Sequence, residues 1–168
     1  MTAKKVMLLG EIGVGKSSLA RRLVFDKFEF DYKPTIGVDV YRYVVPDAPG
    51  RAQMSLIIWD TDGNFSDAIF RHIYMKEASA ALIIGDLSRP ATLATMVKLA
   101  EGFAEAFPGR HAGFIVNKTD LVPDAEAAPL PAMLTRPGTS LIRTSAKSGS
   151  NVGRAFDDAA DSIARRGS

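Results

Sequence analysis

The sequence predicts an α/β domain with a mostly parallel six-stranded β-sheet, one antiparallel hairpin and helices on both faces. Three observations support this fold class. Short β-rich segments alternate with segments of helical periodicity, two successive strands are joined by a turn rich in Pro and Gly, and several strands are apolar throughout. Because no linker rich in Pro, Gly or Ser divides the chain, we expect residues 1–168 to form a single domain.

The first half of the chain predicts three strands and one helix. A continuous apolar stretch favours a buried strand that ends at Gly10, and apolar residues at helical spacing follow it. Pro and Gly within residues 46–50 supply the turn that joins the next two strands as an antiparallel hairpin. The expected elements are the strand Val6–Leu9, a helix from Gly15 to about Phe25, and the strands Val38–Val45 and Met54–Trp59.

The second half predicts three further strands and two helices. Pro90 suits the first turn of a helix, and Ser88 is the candidate cap before it. The expected elements are the strands Ala80–Gly85, Gly113–Val116 and Ser140–Arg143, a helix from Pro90 to about Phe107, and a helix from the cap Asn151 to about Arg165. In such sheets ligands bind beyond the carboxyl ends of the strands, so functional residues are expected in the loops that follow strands.

The composition excludes several functional classes. Hydrophobic residues make up 46% of the chain, charged residues 24%, and the formal net charge is +2, as in an ordinary globular protein. Lys and Arg are scattered, so we expect no nucleic-acid partner. The absence of cysteine excludes disulfides, thiolate metal sites and cysteine nucleophiles. The apolar stretch near the N-terminus is too short for a signal peptide or a membrane span, so a cytoplasmic location is expected.

A phosphate-binding pattern follows the first strand. Gly10–Ser17 fits G-x-x-x-x-G-K-[ST] between a strand and a helix. Glycines let the backbone approach a polyphosphate, and the loop N–H groups and the helix dipole then face its oxygens. Lys16 is expected to bridge the β- and γ-phosphates, and the Ser17 hydroxyl to reach Mg²⁺. Glu11 and Ile12 are interpreted as loop filler. The alternative is a glycine-rich turn that contains a lysine by chance.

A second motif, Asn117-Lys-Thr-Asp120, ends a later apolar strand. The Asp120 carboxylate can accept two hydrogen bonds from the N1 and N2 edge of guanine, whereas adenine has no donor pair there. A carboxylate left desolvated and unpaired discriminates between the two bases by a factor on the order of 10⁴. The motif therefore predicts a guanine nucleotide. A solvated turn is the alternative for so short a motif, and a P-loop ATPase or kinase is the alternative if Asp120 plays no part.

Together these residues resemble the Ras superfamily of small GTPases along the whole chain, and Thr35-Ile-Gly-Val-Asp39 most resembles its Rab branch. The resemblance implies the P-loop NTPase fold in its small G domain form. Five motifs occur in the family's order and spacing: Gly10–Ser17, Tyr32–Gly37, Trp59–Gly63, Asn117–Asp120 and Thr144–Lys147.

The resemblance also implies roles for individual residues. Ser17, Thr35 and Asp60 would hold Mg²⁺, and the N–H of Gly63 would contact the γ-phosphate. Phe28 would stack edge-on against the base, with core packing as the alternative, while Tyr32 would either cover the phosphates or cap its loop. The implied nucleotide-binding residues are Gly13, Val14, Gly15, Lys16, Ser17, Ser18, Phe28, Tyr32, Pro34, Thr35, Gly63, Asn117, Lys118, Asp120, Ser145, Ala146 and Lys147. Lys118 would lie along the base plane, Asn117 would brace the phosphate loop, and the backbone of residues 145–146 would contact the guanine oxygen.

A nucleotide-dependent switch is a further implication of the resemblance. Loops near residues 32–40 and 60–75 would be held by the γ-phosphate and Mg²⁺ and released after hydrolysis. Their surface would bind the expected partners, which are an effector, an exchange factor and a GTPase-activating protein. The candidate anchors are Trp59, Phe65, Ile69, Phe70 and Tyr74, with inward packing as the alternative.

Three residues depart from the family pattern and predict slow hydrolysis. Asn64 replaces the glutamine that orients the attacking water, and its side chain is shorter by about 1.5 Å. Positioning errors near 1 Å can cost about 10²-fold in rate. Asp62 would repel the γ-phosphate unless it points away or joins the metal shell, and Ile12 would obstruct the water or an arginine supplied by a partner. The expected catalytic group is Lys16, Thr35, Gly63 and Asn64. The alternative function is a non-catalytic interaction module that holds the nucleotide as a structural ligand.

The ends of the sequence predict that no lipid anchor is present. Rab-like proteins are generally prenylated on C-terminal cysteines, which the sequence lacks, and Thr2 occupies the place where N-myristoylation needs glycine. Any membrane role is therefore expected to come through a protein partner. The absence of cysteine and the alanine- and arginine-rich composition favour a bacterial source.

Overall fold

A computed structural model describes residues 1–28, 38–61 and 76–167, and six strands and three α-helices lie within these ranges. The strands are β1 (Thr2–Leu9), β2 (Val38–Val44), β3 (Met54–Thr61), β4 (Ala80–Asp86), β5 (His111–Asn117) and β6 (Leu141–Arg143). The helices are α1 (Lys16–Phe25), α2 (Pro90–Ala106) and α3 (Val152–Arg166).

The strands form one sheet in the order β2-β3-β1-β4-β5-β6. Only β2 and β3 are antiparallel, and every other neighbouring pair is parallel. The predicted fold class is therefore confirmed. β1 begins at Thr2 rather than at the predicted Val6, because it pairs with β3 from Thr2↔Met54 to Leu8↔Asp60. The hydrogen bonds of a ladder join backbone groups, so polar residues at the start of the strand do not prevent pairing.

Helices cover both faces of the sheet and produce two separate hydrophobic layers. Alternate residues of β1 divide between them: Val6 and Leu8 join the layer of α1 and α3, whereas Met7 and Leu9 join the layer of α2. The bulky apolar side chain of Phe156 is fully buried in the first layer. Complete burial of a large apolar side chain contributes about 1.5–3 kcal/mol.

The crossover from β5 to β6 contains no α-helix and uses three short 3₁₀ turns, Thr119–Leu121, Ala125–Ala127 and Ala132–Thr135. Four prolines lie between residues 121 and 140. Proline lacks the N–H that an interior helical turn requires, so a continuous helix is excluded here. Leu134, in the last of these turns, is fully buried and takes part in the α2 layer.

At the N-termini of two helices, the structure differs from the capping predicted from the sequence. Ser88 does not cap α2, and that prediction was wrong: the N-cap residue is Arg89, and Ser88 hydrogen-bonds Asp86 instead. Asn151 does occupy the N-cap position of α3, but its amide donates to the Arg143 carbonyl at 2.9 Å rather than accepting from a helical N–H.

Within the described ranges, no helix combines the length and the hydrophobicity that crossing a bilayer requires. The carboxyl ends of β1, β4 and β5 lie side by side in the sheet. On one side of β1 lie β3 and β2, and on the other side lie β4, β5 and β6, so the direction in which the chain adds strands reverses at β1. This edge is where a parallel sheet with helices on both faces binds ligands.

Candidate functional site

The phosphate loop, residues 10–17, connects β1 directly to α1. Gly15 precedes the helix with φ 107°, a conformation that favours glycine. A Cβ atom at Gly15 would also collide with the side-chain nitrogen of Asn117, so only glycine fits there. Val14 is fully buried and secures the loop to the core.

Lys16 lies inside this loop, with only 7% of its surface exposed. Its ammonium group donates to the carbonyls of Gly10 at 2.7 Å and Glu11 at 3.1 Å. Ser18 is half-buried in the first turn of α1. The buried cation and the first turn of the helix together concentrate positive potential at the loop, as polyphosphate binding requires.

Asn117 joins the phosphate loop to the loop that follows β6. Its side-chain nitrogen donates to the Val14 carbonyl at 3.0 Å, which is the bracing contact that the resemblance implies. Its side-chain oxygen accepts from the Thr144 hydroxyl at 2.9 Å and from the Ala146 N–H at 3.2 Å. Because Asn117 is 1% exposed, all three bonds are shielded from water. Thr144 is a site residue to which the sequence assigned no separate role.

Asp120 lies beside the same loop, and one oxygen of its carboxylate accepts from the Ser145 hydroxyl at 2.7 Å. The carboxylate is exposed, whereas Ser145 and Ala146 are buried. One oxygen held by a hydroxyl gives the carboxylate a defined orientation, as recognition of two N–H donors on one base edge requires. Lys147 is exposed.

Lys118 extends from the Asn-Lys-Thr-Asp motif to the phosphate loop. Its ammonium donates to the Gly13 carbonyl at 2.7 Å and lies 3.0 Å from Oδ2 of Asp86. The same carboxylate oxygen accepts from Nε of Arg89 at 3.0 Å. Burial alone would raise the pKa of Asp86, but the hydrogen bonds from Ser88, Lys118 and Arg89 outweigh it, so the pKa is lowered.

Asp86 and Arg89 were not among the residues predicted for the site. The sequence could have indicated Asp86, because this residue directly ends an apolar strand, as Asn117 does. Arg89 carries no comparable signal in the sequence.

Arg22 of α1 is a further residue that the sequence prediction missed. Its guanidinium donates to the Ala146 carbonyl at 2.8 Å and also to the Lys147 carbonyl. A third contact, with the Asp26 carboxylate, spans 3.3 Å. Arg22 thus connects the loop of residues 144–147 to the end of α1. Phe28, two residues after Asp26, packs partly against the core layer of α1 and α3.

Two of the three residues expected to hold Mg²⁺, Ser17 and Asp60, lie within the described residues. The Ser17 hydroxyl donates to the Asp60 carboxylate, so the two oxygen groups meet beside the phosphate loop. Hydroxyl and carboxylate oxygens are donors that Mg²⁺ prefers, and the pair fits this ion. The third expected ligand, Thr35, lies outside the described residues.

Other predicted residues also lie outside the described residues: Tyr32, Pro34, Gly63 and Asn64 of the site, Asp62 beside it, and Phe65, Ile69, Phe70 and Tyr74 of the partner surface. Trp59 is described and is partly buried, with the ammonium of Lys5 3.9 Å from its ring centroid. Opposite Trp59 on β2, Val40 is 51% exposed.

Comparison with known proteins agrees with this geometry. The sequence matches the family model described as the Ras family over residues 5–165. It is 32% identical over 158 residues to Ras-related protein Rab-31 of Homo sapiens, a match covering 90% of this chain and 78% of that protein. It is 36% identical over 157 residues to Ras-related protein RABA6b of Arabidopsis thaliana, covering 90% of this chain and 67% of that protein. The fold, the joined motifs and these matches lead to one conclusion: this chain belongs to the Ras family and is a Rab-like small GTPase.

Proposed function

We propose that this protein binds GTP and GDP together with Mg²⁺, hydrolyses GTP slowly, and acts in the cytoplasm as a switch for protein partners. The observation that carries the proposal is the joining of two motifs by hydrogen bonds. Asn117 and Lys118 donate to Val14 and Gly13 of the phosphate loop, so the motif expected to bind guanine lies directly against the phosphate loop.

Each part of the site has a separate task in this proposal. The loop N–H groups and Lys16 bind the phosphates, while Asp120, oriented by Ser145, binds the N1 and N2 edge of guanine. Ser17, Asp60 and Thr35 would hold Mg²⁺, which when bound neutralises charge on the β- and γ-phosphates. Gly63 and Asn64 would contact the γ-phosphate and the attacking water.

The switch surface of the proposal comprises residues 32–40 and 60–75. Its partners would be an effector, an exchange factor and a GTPase-activating protein. Val40, at the end of the first of these segments, is exposed and pairs with Trp59 on the neighbouring strand. Its exposed side chain supports an apolar contact with a partner at this surface. The bacterial source expected from the composition also stays a prediction.

The first experiment identifies the nucleotide that stays with the purified protein and compares competition by GTP and ATP in millimolar Mg²⁺. We expect GDP or GTP to be bound, and ATP to compete only at far higher concentration. A protein that ignores GTP, or that binds ATP equally well, would contradict the proposal.

The second experiment measures single-turnover GTP hydrolysis. We expect a rate below that of an ordinary family member, and we expect Asn64→Gln to raise it, because the longer amide reaches the attacking water. An ordinary rate in the unaltered protein, or no gain from the substitution, would refute the explanation by Asn64.

A non-catalytic, nucleotide-bound interaction module is the second candidate function. The departures from the family pattern at Ile12, Asp62 and Asn64 favour it. Ile12, which lies within the described residues, is 46% exposed at the phosphate loop. Complete absence of hydrolysis, together with partner binding that is the same with GTP and GDP, would support this candidate.

A further inference from the structure

Arg89 lies at the start of α2, outside every motif on which the proposed function depends, yet its guanidinium reaches the phosphate loop. Nε donates to Oδ2 of Asp86 at 3.0 Å, and a terminal nitrogen donates to the Ile12 carbonyl at 3.1 Å. A Cβ atom added at Gly13 would lie 3.3 Å from the same terminal nitrogen, so the guanidinium is close to Gly13 as well. The guanidinium therefore bridges the end of β4 and the tip of the loop.

Asp86 holds this guanidinium in place. Asp86 is 1% exposed, and its Oδ1 accepts from the Ser88 N–H at 2.9 Å and from the Ser88 hydroxyl at 2.6 Å. With Oδ1 fixed in this way, Oδ2 has a fixed position from which it binds both Arg89 and Lys118. One buried carboxylate therefore directs two cations toward the phosphate loop.

The two cations and Asn117 bind three successive carbonyls of the loop. Arg89 binds the carbonyl of Ile12, Lys118 that of Gly13 and Asn117 that of Val14. In a planar trans peptide the carbonyl and the following N–H point in opposite directions. Holding the carbonyls of Ile12 and Val14 toward the strand ends therefore turns the N–H groups of Gly13 and Gly15 toward the opposite side, as an anion-binding nest requires. The Val14 N–H donates to the Glu11 carbonyl at 3.4 Å instead.

We infer that Arg89, held by Asp86, is a positioning residue for phosphate binding. It fixes the Ile12–Gly13 peptide so that the Gly13 N–H faces the phosphates of the bound nucleotide. The inference rests on the proposed function, since it concerns the same guanine nucleotide. Although the sequence led us to interpret Ile12 as loop filler, its carbonyl then has a structural role as the acceptor for Arg89.

The test uses the full chain loaded with GDP and the variant Arg89→Ala. A charge-assisted hydrogen bond contributes enough that its loss should raise the GDP dissociation rate by about tenfold. The amide signal of Gly13 in the ¹⁵N–¹H spectrum should shift and its hydrogen exchange accelerate. The amide of Gly15 should change little, because Asn117 still holds the carbonyl before it. A general loss of structure would alter both amides, so the Gly13 signal separates positioning from destabilisation.

Two further variants complete the test. Arg136→Ala removes an exposed arginine that lies in the β5–β6 crossover, and it should leave the dissociation rate unchanged. Arg89→Lys keeps the charge but cannot bridge the carboxylate and the carbonyl with two separate nitrogens, so its rate should lie closer to that of Arg89→Ala than to that of the unaltered protein.

The outcomes are separable. Unchanged GDP dissociation in Arg89→Ala, or full restoration by Arg89→Lys, would overturn the inference while leaving the proposed function intact. Failure of the unaltered protein to bind GDP would overturn both.

Discussion

The candidate site has a phosphate half (residues 10–18) and a base half (residues 117–120 and 144–147), and the two halves differ in what they present to a ligand. The phosphate half is held through its carbonyls by Arg89, Lys118 and Asn117, and so presents backbone N–H groups. The base half presents the side chain of Asp120, oriented by Ser145. Backbone recognition tolerates varied residues between the glycines, whereas side-chain recognition depends on one carboxylate. The halves should therefore respond differently to mutation.

The largest effect should come from Asp120→Ala. Without the carboxylate, the base half loses its acceptor for the N1 and N2 edge of guanine, so the preference for GTP over ATP should fall by roughly 10³-fold or more. Competition binding with both nucleotides measures this ratio. Asp47→Ala, at an exposed position in the β2–β3 turn, is the matched control. A preserved preference would mean that Asp120 does not read the base.

Asn117→Ala should affect both halves, because this buried amide is bonded to Val14, Thr144 and Ala146. We expect GDP binding to weaken by about 10²-fold and the free energy of unfolding to fall by about 2–4 kcal/mol. Nucleotide dissociation and denaturant unfolding measure the two effects. Thr144→Val removes only the hydroxyl donor on the base side and should cost less. An equal loss in both variants would argue against a link between the halves.

The phosphate half should also be sensitive to acid through Asp86. Its folded-state pKa is lowered from 3.8, so its contribution to stability is present above about pH 4 and is lost as the pH falls through the lowered value. We expect Asp86→Asn to reduce the free energy of unfolding by about 1–3 kcal/mol at pH 6, with the difference from the unaltered protein shrinking below pH 4. Denaturant unfolding across this pH range provides the measurement. A difference that stays constant into acid would contradict the assignment.

The smallest effect should follow from Arg22→Met, which keeps the length of the side chain but removes its bonds to the carbonyls of Ala146 and Lys147. Loosening the base half should raise the GDP dissociation rate by about tenfold. Arg154→Met, at an exposed position on α3, is the control. In the double variant Arg22→Met with Arg89→Ala, the two increases in the GDP dissociation rate should multiply if the halves are held independently. A combined effect no larger than either single one would show that the halves respond as one unit.

Most of the fold could be predicted from the sequence because its elements have local causes. Apolar runs, helical periodicity and turn residues located all six strands and the three helices of the described residues, with shifts at their ends. The ends shifted because strand length depends on pairing, as when β1 extends to Thr2 along β3. The cap at Ser88 was wrong because the helix begins at Pro90, so that Arg89 is the N-cap residue and Ser88 lies one residue before it, where its hydroxyl donates to Asp86.

The sequence by itself determined the chemistry of the ligand site, because a glycine-rich loop ending in Lys16-Ser17 and an Asn-Lys-Thr-Asp motif carry their functional groups within a few consecutive residues. Only the tertiary structure decided what holds those groups in position. Arg89 binds a carbonyl 77 positions earlier in the chain, and Arg22 one 124 positions later. Contacts between residues so far apart leave no local pattern, because they arise only when the sheet brings the ends of its strands together.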